Sequence, residues 1–125
     1  MDKQSFELHL IIDANNCNGD ITNRNHIQKF IDVLVEALGM KKKGETVFEW
    51  FDYNEYNIER DIVGWSVVQV ISLSSITIHI NEISKTVYFD LFTCGELDEL
   101  KVSILFSDYF QPKTMKKRSL VRDAK

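Results

Sequence analysis

Four side chains able to move protons or attack a carbonyl stand out in the sequence: Ser66, Ser74, His79 and Cys94. Ser74 precedes His79 by five positions inside "VISLSSITIHINE" (70–82), a run otherwise rich in β-branched residues. A hydroxyl and an imidazole are the parts of a nucleophile–base pair, because histidine titrates near neutral pH and can take and return a proton. A thiol serves as a proton donor where its pKa suits the site. The same residues also fit a plainer role, since a strand with one wet face carries serines and a histidine without any chemistry. Within 75–81 the period of two puts Ser75, Thr77 and His79 on one face and Ile76, Ile78 and Ile80 on the other. His79 is therefore expected to point away from the core.

The elements that must hold these residues are legible from pattern. Residues 6–13 alternate, with Phe6, Leu8, Leu10 and Ile12 facing one way, as in a half-buried strand. The Asn- and Gly-rich loop "NNCNGDITN" follows. Ile27, Phe30, Ile31, Leu34 and Leu38 then fall at helical spacing, with Asn23 or Asn25 to cap the start and Gly39 to end the helix. Residues 46–53, 62–72, 75–81 and 86–94 read as strands, with a polar loop at 54–61 and a tight turn, "NEIS", joining the last two. Asp98 and Glu99 open a second helix to about Phe110, expected to bury Leu97, Leu100, Ile104 and Leu105. A final strand is expected around Ser119–Val121. The order β-α-β-β-β-β-α-(β) predicts an α+β fold, a two-layer sandwich with two helices on one face of an antiparallel sheet. Two helices cover one face only. The other carries apolar residues from "VVQVI", "TIHI" and "YFDLF", so a homodimer is expected to cover it.

Composition bounds the rest. The chain has 125 residues, is 44% hydrophobic and 27% charged, and reads as a single domain over 1–125. No apolar run is long enough to span a membrane. The opening "MDKQSFELHLIID" lacks the basic and apolar regions of a signal peptide, which predicts a cytoplasmic protein. There Cys17 and Cys94 are expected to be thiols, and no clustered Cys/His spacing suggests a metal. The net charge of −4 gives the chain no nucleic-acid footprint. The basic residues cluster in "MKKK" (40–43), past a helix end where cations suit the dipole, and in "PKTMKKRSLVRDAK" (112–125), read as a solvated tail or an edge strand.

Three segments, "ELHLIIDANNCN", "VGWSVVQVISLSSITIHINE" and "YFDLFTCGELD", resemble the bacterial and archaeal S-adenosylmethionine decarboxylase family. The resemblance runs from about Leu8 to Leu100 and rests on register: Ser66, Ser74, His79 and Cys94 fall into line without gaps. It implies a pyruvoyl enzyme of polyamine biosynthesis that cuts itself at Leu73–Ser74. Ser74 would attack the preceding carbonyl, and the pyruvoyl group would derive from that serine. Ser66 would hydrogen-bond near the scissile carbonyl, His79 would shuttle the proton, and Cys94 would reprotonate the substrate after CO2 leaves. The pyruvoyl carbonyl would serve as an electron sink. For substrate binding, the resemblance implies Phe51 stacking on adenine and Glu82 accepting the ribose hydroxyls.

The sequence departs from the family pattern in places. Leu73 stands where the family has glutamate, Ser75 where it has histidine, and Val67 where it has glycine. One residue is missing near Ile80–Asn81, and Glu82 sits one position early. Leu73 does not block an acyl shift, because the carbonyl attacked is backbone. These changes leave two alternatives open: a non-cleaving homologue that binds or otherwise acts on S-adenosylmethionine or a derivative, and a pyruvoyl decarboxylase of ornithine or arginine. A plain interaction module, with no small-molecule site, would make the four residues coincidence.

Overall fold

The computed structural model describes residues 7–52 and 62–124. The expected start at Phe6, the strand end at Tyr53 and the polar loop 54–61 lie outside the described residues. The elements are β1 (Glu7–Asn15), α1 (Arg24–Ala37), β2 (Val47–Asp52), β3 (Val63–Ile71), β4 (Ser74–Asn81), β5 (Thr86–Cys94), α2 (Glu99–Phe110) and β6 (Thr114–Arg122). The strands form one six-stranded sheet in the order β2-β3-β4-β5-β1-β6, with every neighbouring pair antiparallel. This is the expected two-layer α+β arrangement. β6 is longer than the short strand expected and pairs along the whole of β1, so the basic C-terminal segment is an exposed edge strand.

Period-two burial on β1, β4 and β5 fixes which face is the core. Leu8, Leu10, Ile12 and Ala14 are buried on β1, Ile76, Ile78 and Ile80 on β4, and Val87, Phe89 and Leu91 on β5. Onto this face α1 packs Ile27, Phe30, Ile31, Leu34 and Val35. Asn23 caps α1 by accepting from the His26 N–H, and Gly39, at φ +69°, follows the helix end in the left-handed conformation that glycine adopts freely. Phe30 meets Phe89, Phe106 and Phe110 edge-on, which ties both helices to β5.

The burial expected on α2 was partly wrong. The helix buries Val102, Ser103, Phe106 and Phe110, and Leu100 and Ile104 are exposed. Leu97 and Leu105 are partly buried against the core. Phe106 and Phe110 capture the inward face because they complete the aromatic cluster around Phe30, and this turns Leu100 and Ile104 to solvent. The second polar surprise is Gln69, fully buried on the helix side of β3. Its amide donates to the Gly44 and Val70 carbonyls and its oxygen accepts from Thr46, so no polar atom is stranded.

Candidate functional site

The strand pairing places two groups of chemically able residues on the sheet. The first lies on the face away from the helices. Ser66 and His79 are direct cross-strand partners, and the Ser66 Oγ sits 3.3 Å from His79 Nδ1. Phe51 on β2 stacks on the imidazole, with ring centroids 4.6 Å apart and planes 4° from parallel. Tyr88 of β5, the partner of His79 on the other side, is tilted at 6.3 Å. Burial among these neighbours lowers the His79 pKa from its ordinary 6.5, so the ring is neutral at neutral pH. A neutral, clamped imidazole is a competent proton acceptor. The face that Phe51 was expected to offer to adenine is, on one side, already occupied by His79. Gly64, the β3 partner of Phe51, admits no side chain, since a Cβ there would stand 1.8 Å from the Ile80 carbonyl oxygen. Glu82 is exposed in the β4–β5 turn, its N–H donating to the Val63 carbonyl at this same end of the sheet.

The second group lies at the opposite end of the strands. Ser72 and Leu73 turn β3 into β4, and Leu73 adopts φ +57° with its side chain 76% exposed. That left-handed conformation brings a leucine Cβ close to backbone and costs about 1–2 kcal/mol. The Leu73 carbonyl accepts a hydrogen bond from the Cys94 N–H at 3.2 Å. Cys94 ends β5, exposed, opposite Glu7 of β1. Partial desolvation raises its pKa above the ordinary 9.0, and the Glu7 charge and a hydrogen bond from that side chain raise it further. Ser74 is buried on the helix side, where its hydroxyl donates to Thr93 Oγ1 at 2.5 Å.

The chain thus brings Ser66, His79 and Phe51 together, and separately joins Cys94 to the Leu73–Ser74 peptide. It does not bring the Ser74 hydroxyl to His79. Five residues of strand separate them, about 16 Å at the usual rise, and an odd spacing puts them on opposite faces. The alternation in "SSITIHI" already implies this, because Ser74 shares its parity with Ile76 rather than with His79. Sequence reasoning missed Thr93 and Glu7. Thr93 had a signal, as the one polar residue in phase with buried Val87, Phe89 and Leu91. Glu7 had none, since only the β1–β5 register brings it to Cys94. Cys17 is buried and free, and burial pushes its thiol up to about 11, which leaves it inert.

Comparison with known proteins agrees with this architecture. A family model described as S-adenosylmethionine decarboxylase matches residues 8–123. Among solved structures, the adenosylmethionine decarboxylase from Aquifex aeolicus VF5 superposes with a TM-score of 0.73 at 18% identity, covering 94% of this chain and 91% of that one. No curated protein matches. No helix among the described residues is long and apolar enough to cross a membrane.

Proposed function

The chain belongs to the S-adenosylmethionine decarboxylase family, and from that premise we propose that it cuts itself between Leu73 and Ser74 and then decarboxylates S-adenosylmethionine. The observation that carries this reading is the 3.2 Å bond from the Cys94 N–H to the Leu73 carbonyl, which sets the candidate acid beside the candidate cut. That N–H is placed to stabilise negative charge growing on the carbonyl oxygen. Leu73, held in a left-handed turn, is a linkage that gains by opening.

In the cut, the Ser74 Oγ adds to the Leu73 carbonyl carbon, its proton passes to the departing nitrogen through a base, and the peptide becomes an ester. Thr93 holds that hydroxyl on the helix side before the reaction. Loss of the Ser74 α-proton expels the Leu73 carboxylate, and water then releases ammonia to leave a ketone-bearing terminus. The residues fit such a group: a serine follows a strained turn, a thiol sits beside it, and one sheet face is open. Once formed, the pyruvoyl carbonyl supplies the electron sink for loss of CO2. Cys94 returns a proton to the substrate carbon, while neutral His79, oriented by Ser66 and Phe51, takes protons during the cut. Phe51 and Glu82 flank the nucleoside end of the substrate.

One chain keeps the His79 group and the Cys94 group about 16 Å apart. A second copy laid over the open face with its strands running oppositely sets its Ser66 and His79 above the first copy's Leu73–Ser74. Exposed Val68, Val70, Tyr88 and Leu120 on that face support burial by such a partner. The site is accordingly a homodimer's, shared between copies. Intact mass after long incubation tests the cut: fragments 1–73 and 74–125 support it, and an unbroken chain refutes it. The turning of the Ser74 hydroxyl toward Thr93, away from the open face, favours a second reading, a non-cleaving homologue that binds S-adenosylmethionine. Calorimetric binding with no CO2 release would favour that one.

A further inference from the structure

One carboxylate on the open face has no part in the reactions above. Glu7 opens β1 and is the direct cross-strand partner of Cys94 on β5. Direct antiparallel partners share a sheet face, with Cβ atoms about 4.5–5.5 Å apart. The exposed thiol therefore has a carboxylate standing over it. The groups around the pair are few. Arg122 of β6 is the partner of Glu7 on its far side, but its guanidinium lies 5.4 Å from the centre of the Phe92 ring. His9, two residues along β1, is engaged with Asp90 at 2.9 Å. Glu96 follows two residues after Cys94, and β4 offers only the uncharged Ser72–Leu73 turn. Of the side chains in register on the neighbouring strands, Glu7 alone sets a negative charge against the sulfur.

We propose that Glu7 is a positioning residue that keeps Cys94 as a protonated thiol, fit to act as an acid rather than as a nucleophile. The inference rests on the decarboxylase reading for its purpose but not for its measurement. A carboxylate beside a thiol disfavours the thiolate by like-charge repulsion and accepts a hydrogen bond from S–H. Both effects hold the proton on sulfur at neutral pH. This suits an exposed cysteine next to a reactive ketone, where a thiolate would attack the carbonyl instead of protonating carbon. After the thiol gives up its proton, the same charge favours recovery of a proton from water. The upward pKa shift of Cys94, to which Glu7 contributes through charge and hydrogen bonding, runs in this direction.

The test is the pH dependence of iodoacetamide labelling of the full chain, followed by peptide mass. Cys94→Ser identifies the labelled site, since buried Cys17 does not compete. In Glu7→Gln the labelling midpoint moves to lower pH, and at pH 8 the rate rises several-fold, because the thiolate is the alkylated form. Glu7→Asp, which keeps the charge, stays near wild type. Superimposed profiles for wild type and Glu7→Gln, with matching circular dichroism, overturn the proposal. If Glu7→Gln fails to fold, Arg122→Gln replaces it: removing that cation leaves Glu7 unopposed and slows labelling at pH 8, and an unchanged or faster rate overturns the proposal. Labelling needs neither cleavage nor turnover. An intact chain or a lack of CO2 release therefore counts against the decarboxylase reading while this profile still decides the role of Glu7.

Discussion

Single side chains carry the chemistry, and His79 shows how environment sets it. Its pKa lies below 6.5 because burial disfavours the charged ring. Cleavage is expected to hold its rate from pH 8 down through 6.5 and to fall only as pH drops through the lowered value, read as fragment yield against pH. Stability follows the same sign. Below 6.5 the unfolded chain takes up the proton first, so stability is intact above 6.5 and is lost as pH falls toward the folded-state value. Urea titrations between pH 7.5 and 5 should show this slope, and His79→Gln should flatten it. Ser74→Ala is expected to leave a single uncut mass, and a cut chain from that variant would remove Ser74 from the mechanism. Ser74 also shows what residue type alone conceals. The family spacing singles it out, yet its hydroxyl lies on the core side, bonded to Thr93.

At the scale of elements, the turn between β3 and β4 joins stability to reaction. Leu73→Gly relieves about 1–2 kcal/mol of left-handed strain and adds about 0.5–1 kcal/mol of unfolded-state entropy. The net expectation is a small gain, below about 1 kcal/mol, measured by denaturant midpoint in the uncut Ser74→Ala background. The same substitution in the wild-type background should slow fragment formation, because the linkage no longer gains by opening. On the helix layer, Phe30→Ala removes the ring that meets Phe89, Phe106 and Phe110 and should cost about 3–5 kcal/mol. The strands and α1 were legible because strict alternation and an Asn23 cap leave little choice. The inward face of α2 was not. Leu97, Leu100, Ile104 and Leu105 form as good an apolar stripe as Val102, Phe106 and Phe110, and only packing against Phe30 selects the second.

For the whole molecule, the open sheet face decides whether the two groups of site residues ever meet. Sedimentation is expected to give a dimer, and Val70→Asp, placed on the exposed face, should shift it to monomer and abolish cleavage together. Co-expression of Ser74→Ala with His79→Ala chains provides the sharper test. Each variant alone lacks one half of every site, whereas the mixed dimer rebuilds one complete site, so partial cleavage of the His79→Ala chain is expected. No cleavage in the mixture would place both groups in a single chain's mechanism and sink the shared site.

The order of elements, the polar face of His79 and the register of Ser66, Ser74, His79 and Cys94 were written in the sequence, because strand periodicity and local spacing are properties of neighbouring residues. The pairing of Glu7 with Cys94, the bond from the Cys94 N–H to the Leu73 carbonyl and the stacking of Phe51 on His79 belong to tertiary structure alone. Each depends on which strands lie side by side and in what register. That choice is made by burial of the whole core, which no local pattern contains.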